Sequence, residues 1–192
     1  DEWTNPRFPR WPPANPRQFR YFKAISMLAI IGGSGLTRLS TLAVAHREVV
    51  RTPYGDPSST LLFGQIAERD AVFLARHGHG HTIPPHRVNY RANLWALKEK
   101  GARAVLAVAS VGGIRHCAPG DLVLPHQLID YTSGREATFF DGGDRNVVHI
   151  DFTHPYDPRL RESCLAAAAT AGIALTDGGV YGAVNGPRLE TA

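Results

Sequence analysis

The chain has 192 residues, 43% of them hydrophobic, and a formal net charge of +4, enough sequence to bury one good core in a single domain. No apolar stretch reaches the length a membrane-spanning helix requires, and Cys117 and Cys164 stand far apart at no metal or redox spacing, so a reducing, cytoplasmic setting is expected. The charge is a poor argument for nucleic acid. Five basic and two acidic side chains fall in residues 1–26, leaving +3 there and only +1 on the other 166 residues.

In chain order, residues 1–26 carry Pro6, Pro9, Pro12, Pro13 and Pro16 with aromatic residues between them. That proline density forbids a helix, so the segment reads as an extended, disordered or non-native arm and residues 27–192 as the folded domain. Leu28–Ile31 is a short buried strand running into Gly32-Gly33-Ser34-Gly35. Leu61–Ile66 and Ala71–Ala75 read as a hairpin turned by Ala67–Asp70, the second strand running into Arg76-His77-Gly78. Val88–Lys100 is expected to be a helix with Val88, Ala92, Trp95 and Ala96 on one face and Gly101 as its stop. Val105–Val108 is a third strand, running into Ala109-Ser110-Val111-Gly112-Gly113.

Leu122–Ile129 is strand-like after the turn Pro119-Gly120-Asp121, and the stretch from Asp130 to Asp157 is a long loop of the kind that carries function. Asp157 as N-cap, Pro158 in the first turn and Gly172 as terminator frame a second helix, with Leu160, Cys164, Ala168 and Ala171 on one face. Gly179–Val184 is the last expected strand. Gly186-Pro187-Arg188-Leu189-Glu190 then opens a helix that has no body, so the domain is expected to be truncated at its C-terminus. The class is α/β with a mixed central sheet flanked by helices.

Three strand ends thus present bare backbone N–H groups, a serine hydroxyl and a guanidinium. Ligands collect beyond the carboxyl ends of parallel strands, so Ser34, Arg76 and the Ala109–Ser110 backbone are expected to hold a small polyanion, most simply phosphate. Two other readings of these residues stand beside this one. Arg76 could instead be an internal ion pair, with Asp121 or Asp130 as its partner. His77, His79, His81 and His86 could form a metal site, which would make the protein a metallohydrolase. A third class, a nucleic-acid-binding module, rests on the basic arm alone.

The motifs Ala29-Ile30-Ile31-Gly32-Gly33-Ser34-Gly35-Leu36, Thr52-Pro53-Tyr54-Gly55, Leu74-Ala75-Arg76-His77-Gly78, the segment His81–Asn93 and Gly186-Pro187-Arg188 resemble, in order and spacing, the trimeric nucleoside phosphorylases. The branch acting on 5′-methylthio-nucleosides is the nearest in pattern. The resemblance implies that Ser34, Arg76, His77, Ala109 and Ser110 contact phosphate, a co-substrate, with no metal and no other cofactor. It implies that Leu189 packs on a purine, and that His149 reaches a neighbouring subunit's sugar pocket in a homotrimer. Glutamate at position 190, with Tyr131-Thr132-Ser133-Gly134-Arg135-Glu136, resembles the S-methyl-5′-thioinosine phosphorylases, because an ionised carboxylate accepts N1–H of a 6-oxopurine and would be left unpaired by adenine. Methylthioadenosine phosphorylase and general inosine/guanosine phosphorylase are the alternatives within the family. The implied place is purine salvage, with neither nucleic acid nor membrane as partner. The residue assisting the leaving purine is expected beyond Ala192, so the 192-residue chain alone is expected not to turn over.

Overall fold

The computed structural model describes residues 25–33, 36, 38–115, 117–142 and 147–188. The arm up to residue 24 lies outside them, as do Ser34, Leu189 and Glu190. Strand β1 (Leu28–Gly32) is the second-from-edge strand of a five-stranded sheet that also contains β2 (Ala43–Glu48), β3 (Leu61–Ile66), β4 (Arg69–Ala75) and β5 (Ala104–Ala107), in the order β2-β3-β4-β1-β5. β1 runs parallel to both β4 and β5, while β2-β3-β4 form an antiparallel meander. The expected mixed sheet is present, with β2 added at an edge where its exposed residues carry little hydrophobic signal.

Period-two alternation along β4 divides the core between the two faces of the sheet. Val72 and Leu74 pack with Ala29, Ile31, Leu61 and Phe63 against Ala96 and Leu97 of the helix α1 (Tyr90–Glu99). Ala71, Phe73 and Ala75 face the other way, onto Leu42, Leu36 and Leu39. The β3–β4 turn is tighter than expected. Only Ala67 and Glu68 make it, both with positive φ of 47° and 63°, the geometry of a two-residue hairpin, so Arg69 and Asp70 join the strand.

Helix α1 begins at Tyr90 and not at Val88, because the Asn89 side chain accepts from the Ala92 N–H at 3.0 Å and caps it. The stretch expected as one strand over Leu122–Ile129 is two, β6 (Leu122–Leu124) and β7 (Gln127–Asp130), parted at Pro125, which has no N–H to donate. Their parallel partners β8 (Leu175–Asp177) and β9 (Val180–Ala183) are parted at the same level by Gly178 and Gly179, with φ of 108° and 91°. Helix α2 (Pro158–Ala171) has the expected ends: Asp157 accepts from the Leu160 N–H at 2.7 Å, and Gly172 closes it in the left-handed region. Its buried face differs from expectation. Ser163 and Ala166 are the buried residues and Ala171 is exposed. Cys164 is half-buried, which raises its thiol pKa, and Cys117 is exposed. Among the described residues no helix is long and apolar enough to cross a membrane.

Candidate anion site at the strand ends

Because β1 is parallel to both neighbours and in register with them, Gly32 pairs with Ala75 and Ile31 with Ala107, so three carboxyl ends finish at one edge. The Arg76 N–H donates to the Gly32 carbonyl at 3.0 Å, and the Val108 N–H donates to the Ile31 carbonyl at 2.9 Å. The chain beyond β1 therefore runs between the chains beyond β4 and β5. That crowding explains the glycines. A Cβ on Gly33 would lie 2.5 Å from Arg76 Nη2 and 2.7 Å from the Val108 carbonyl oxygen, and one on Gly32 would meet the Leu36 carbonyl and the Phe73 ring. Arg76 is half-buried, and its guanidinium lies on the backbone of Gly33.

Arg76 forms no ion pair with a described carboxylate, in contrast to Arg91, Lys100 and Arg161. The two acids considered for it are engaged elsewhere, Asp121 accepting from the Ala118 N–H and Asp130 from the Thr132 N–H. Among the described residues, the alternative of an internal ion pair with Asp121 or Asp130 is therefore not formed. A neighbouring histidine orients the guanidinium instead. Arg76 Nε–H donates to His77 Nε2 at 3.3 Å, and His77 Nδ1 is 2.8 Å from the Ile83 carbonyl oxygen. Nε2 can accept only if Nδ1 carries the proton, so the ring is neutral. Burial lowers the His77 pKa below 6.5, and the nearby charge of Arg76 adds to that against the Ile83 hydrogen bond.

With both nitrogens engaged, the His77 side chain positions Arg76 and has no lone pair free for a metal. His81 contributes a ring 4.8 Å from that of His77, and among the described residues no group of three or more His, Cys, Asp or Glu side chains could hold a metal ion. Ala109 and Ser110 follow directly from the Val108 anchor and are exposed at the same edge. His149 lies exposed in the loop between β7 and α2 and makes no hydrogen bond or ion pair with a described residue.

Sequence reasoning missed the support beneath the site. Ser59 Oγ accepts from the Ala75 N–H at 3.1 Å, just before Arg76. Asn93, 2% exposed, accepts from the Ser58 N–H at 2.7 Å and donates to Ser58 Oγ at 2.9 Å. The available signal was Asn93 itself, a polar residue among Ala92, Ala96 and Leu97 on the buried face of α1. The Thr52–Gly55 motif is held to the same helix, Asn89 Nδ2 donating to the Tyr54 carbonyl at 2.6 Å.

Residues 27–192 match the Phosphorylase superfamily. The chain is 52% identical over 168 residues to the probable S-methyl-5′-thioinosine phosphorylase of Pseudomonas syringae pv. tomato, covering 87% of this chain and 68% of that protein. It is 46% identical over 165 residues to the S-methyl-5′-thioadenosine phosphorylase of Thermofilum pendens, with coverage of 85% and 62%. Among solved structures, the methylthioadenosine phosphorylase from Schistosoma mansoni in its apo form superposes with a TM-score of 0.82 at 35% identity, over 86% of this chain and 65% of that one. The chain thus spans about two thirds of the length of the relatives it matches. A sheet whose parallel strand ends gather around Arg76, joined to a match over residues 27–192, places this chain in the Phosphorylase superfamily.

Proposed function

We propose that the protein is a purine nucleoside phosphorylase that binds orthophosphate at Ser34, Arg76, His77, Ala109 and Ser110, and uses it to cleave S-methyl-5′-thioinosine to hypoxanthine and 5-methylthioribose 1-phosphate. The observation that carries this reading is the half-buried Arg76 guanidinium, aimed by a neutral His77 and without a carboxylate partner among the described residues. A cation so placed is stabilised by a bound anion, and the planar guanidinium matches phosphate oxygens in pairs. A phosphate oxygen would attack C1′ as the C1′–N9 bond breaks, the sugar passing through an oxocarbenium-like state. The bound dianion stabilises the positive charge that develops there, and the bonding pair leaves on the purine.

Glu190 supports the 6-oxopurine reading on chemical grounds, since its ionised carboxylate accepts N1–H of hypoxanthine and finds no donor at N1 of adenine. The relatives' names include both purine types, so identity alone does not choose between them. The assembly in this reading is a homotrimer in which His149 serves a neighbouring sugar pocket, and the setting is the cytoplasm.

The test is calorimetric titration with orthophosphate, comparing the protein with Arg76→Leu. Loss of charge-assisted hydrogen bonds worth about 1.5–3 kcal/mol weakens affinity by about 10- to 100-fold. Equal affinity of the two proteins, or no uptake by either, overturns the reading. Cleavage of methylthioinosine, methylthioadenosine and inosine by the product of the complete reading frame then ranks the three substrates, with the first expected fastest.

A further inference from the structure

The long loop between β7 and α2 contains an arginine whose side chain is spent almost wholly on one other segment. Arg135 Nη2–H donates to the carbonyls of Val184 and Asn185 at 3.0 and 3.1 Å, and Nε–H donates to Asn185 Oδ1 at 3.1 Å. Nη1–H donates to the Tyr90 hydroxyl at 3.1 Å, and the guanidinium carbon lies 5.3 Å from the centre of the Tyr90 ring. A planar fork with five donors can grip one short stretch of backbone in this way, and a lysine cannot. Asn185 completes the clamp by donating from Nδ2 to the Ser133 carbonyl at 3.0 Å.

The far side of Tyr90 leads back to the anion site. The Tyr90 hydroxyl donates to the Pro85 carbonyl at 3.2 Å, and Pro85 also packs on Gly186, where an added Cβ would lie 3.1 Å from Pro85 Cγ. Two residues before Pro85, the Ile83 carbonyl accepts a hydrogen bond from His77 Nδ1–H, and His77 holds Arg76. A continuous path therefore runs from Arg76 through His77, the Ile83–Pro85 backbone, Tyr90 and Arg135 to Val184–Gly186. Leu189 and Glu190 follow that clamped segment in sequence after Pro187 and Arg188.

We propose that Arg135, acting through Tyr90, is a positioning residue for the nucleoside base: it sets the segment that leads to Leu189 and Glu190 at a fixed place relative to the anion held by Arg76. The inference rests on the phosphorylase reading above and deepens it, since it adds a residue that controls base binding without touching phosphate.

The experiment compares the enzyme from the complete reading frame with its Arg135→Ala, Arg135→Lys and Tyr90→Phe variants. Phosphorolysis of S-methyl-5′-thioinosine is followed by steady-state kinetics, and orthophosphate binding by calorimetry. Arg135→Ala is expected to raise the nucleoside KM by about tenfold or more, as befits the loss of several charge-assisted hydrogen bonds, while phosphate affinity stays within about twofold. Free guanidinium ion restores much of the lost nucleoside affinity, whereas Arg135→Lys restores little. Tyr90→Phe, which removes one hydroxyl and keeps the ring, raises the nucleoside KM by about threefold and keeps the variant set informative if Arg135→Ala does not fold. An unchanged nucleoside KM in Tyr90→Phe and Arg135→Lys overturns the inference, and so does equal loss of phosphate and nucleoside affinity without guanidinium rescue. Wild-type enzyme that neither binds orthophosphate nor cleaves a nucleoside overturns the phosphorylase reading, and this inference with it.

Discussion

The segment from Leu28 to Ala102 and the segment from Ala104 to Arg188 are held together by different forces. Among the described residues, every buried apolar side chain except Ala166 belongs to the first. The second carries exposed Val111, Ile114, Leu122, Ile129, Val147, Ile150, Phe152 and Val180, although parallel strands such as β6–β8 and β7–β9 are ordinarily covered on both faces. Beyond β5, which its ladder joins to β1, what ties the second segment is a set of arginine tethers. Arg91 of α1 pairs with Glu136 and Asp141 while lying 5.0 Å from the centre of the Tyr54 ring. Arg161 of α2 binds the Leu124 and Pro125 carbonyls and Asp177. Arg135 clamps Val184 and Asn185. The comparison teaches that packing makes the first segment rigid enough to aim Arg76, and directional hydrogen bonds place the second against it. Arg76 stands apart from the tethers, because among the described residues its guanidinium meets a neutral histidine nitrogen and no carboxylate or carbonyl.

Three measurements break or sharpen that contrast. The largest effect belongs to Phe73→Ala. Phe73 is fully buried in the centre of the sheet, so the truncation should lower unfolding free energy by about 3–5 kcal/mol in urea denaturation. A loss under about 1 kcal/mol would mean that packing does not dominate the first segment.

The second is pH-dependent. The His77 pKa is lowered from 6.5, mainly by burial, so the folded state favours the neutral ring. Above pH 6.5 the ring is neutral folded or unfolded, and its contribution is complete. As pH falls below 6.5 the unfolded chain takes up a proton that the folded ring resists, so stability declines by up to about 1.36 kcal/mol per pH unit until the folded pKa is reached. Thermal melts of the protein and of His77→Asn between pH 8 and 5 should diverge on the acid side. Parallel curves would show that His77 is not held neutral.

The smallest effect is expected at Ile114, which is 99% exposed, where Ile114→Ser should change stability by no more than about 0.5 kcal/mol. A larger loss in the same denaturation series would show that another surface covers this segment in solution.

Local chemistry made much of this protein legible from residues alone. Short apolar runs ending in glycine or arginine are buried strands whose ends expose polar groups, which located β1, β4 and β5 and the turn at Arg76. Asp157, Pro158 and Gly172 bounded α2 because caps act within one helical turn. Other features were beyond such reading. The edge strand β2 exists because β3 offers it a ladder, and its own exposed side chains have no hydrophobic alternation to announce it. The break at Pro125 is matched by one at Gly178–Gly179 in a partner strand some fifty residues away. Whether Arg76 met a carboxylate, whether His77 spent both nitrogens on its neighbours, and whether Arg135 reached Val184 were likewise decided only by the tertiary structure. Caps and strand runs depend on residues adjacent in sequence, whereas the partner of a long charged side chain depends on which distant segments the sheet register brings within about 3 Å.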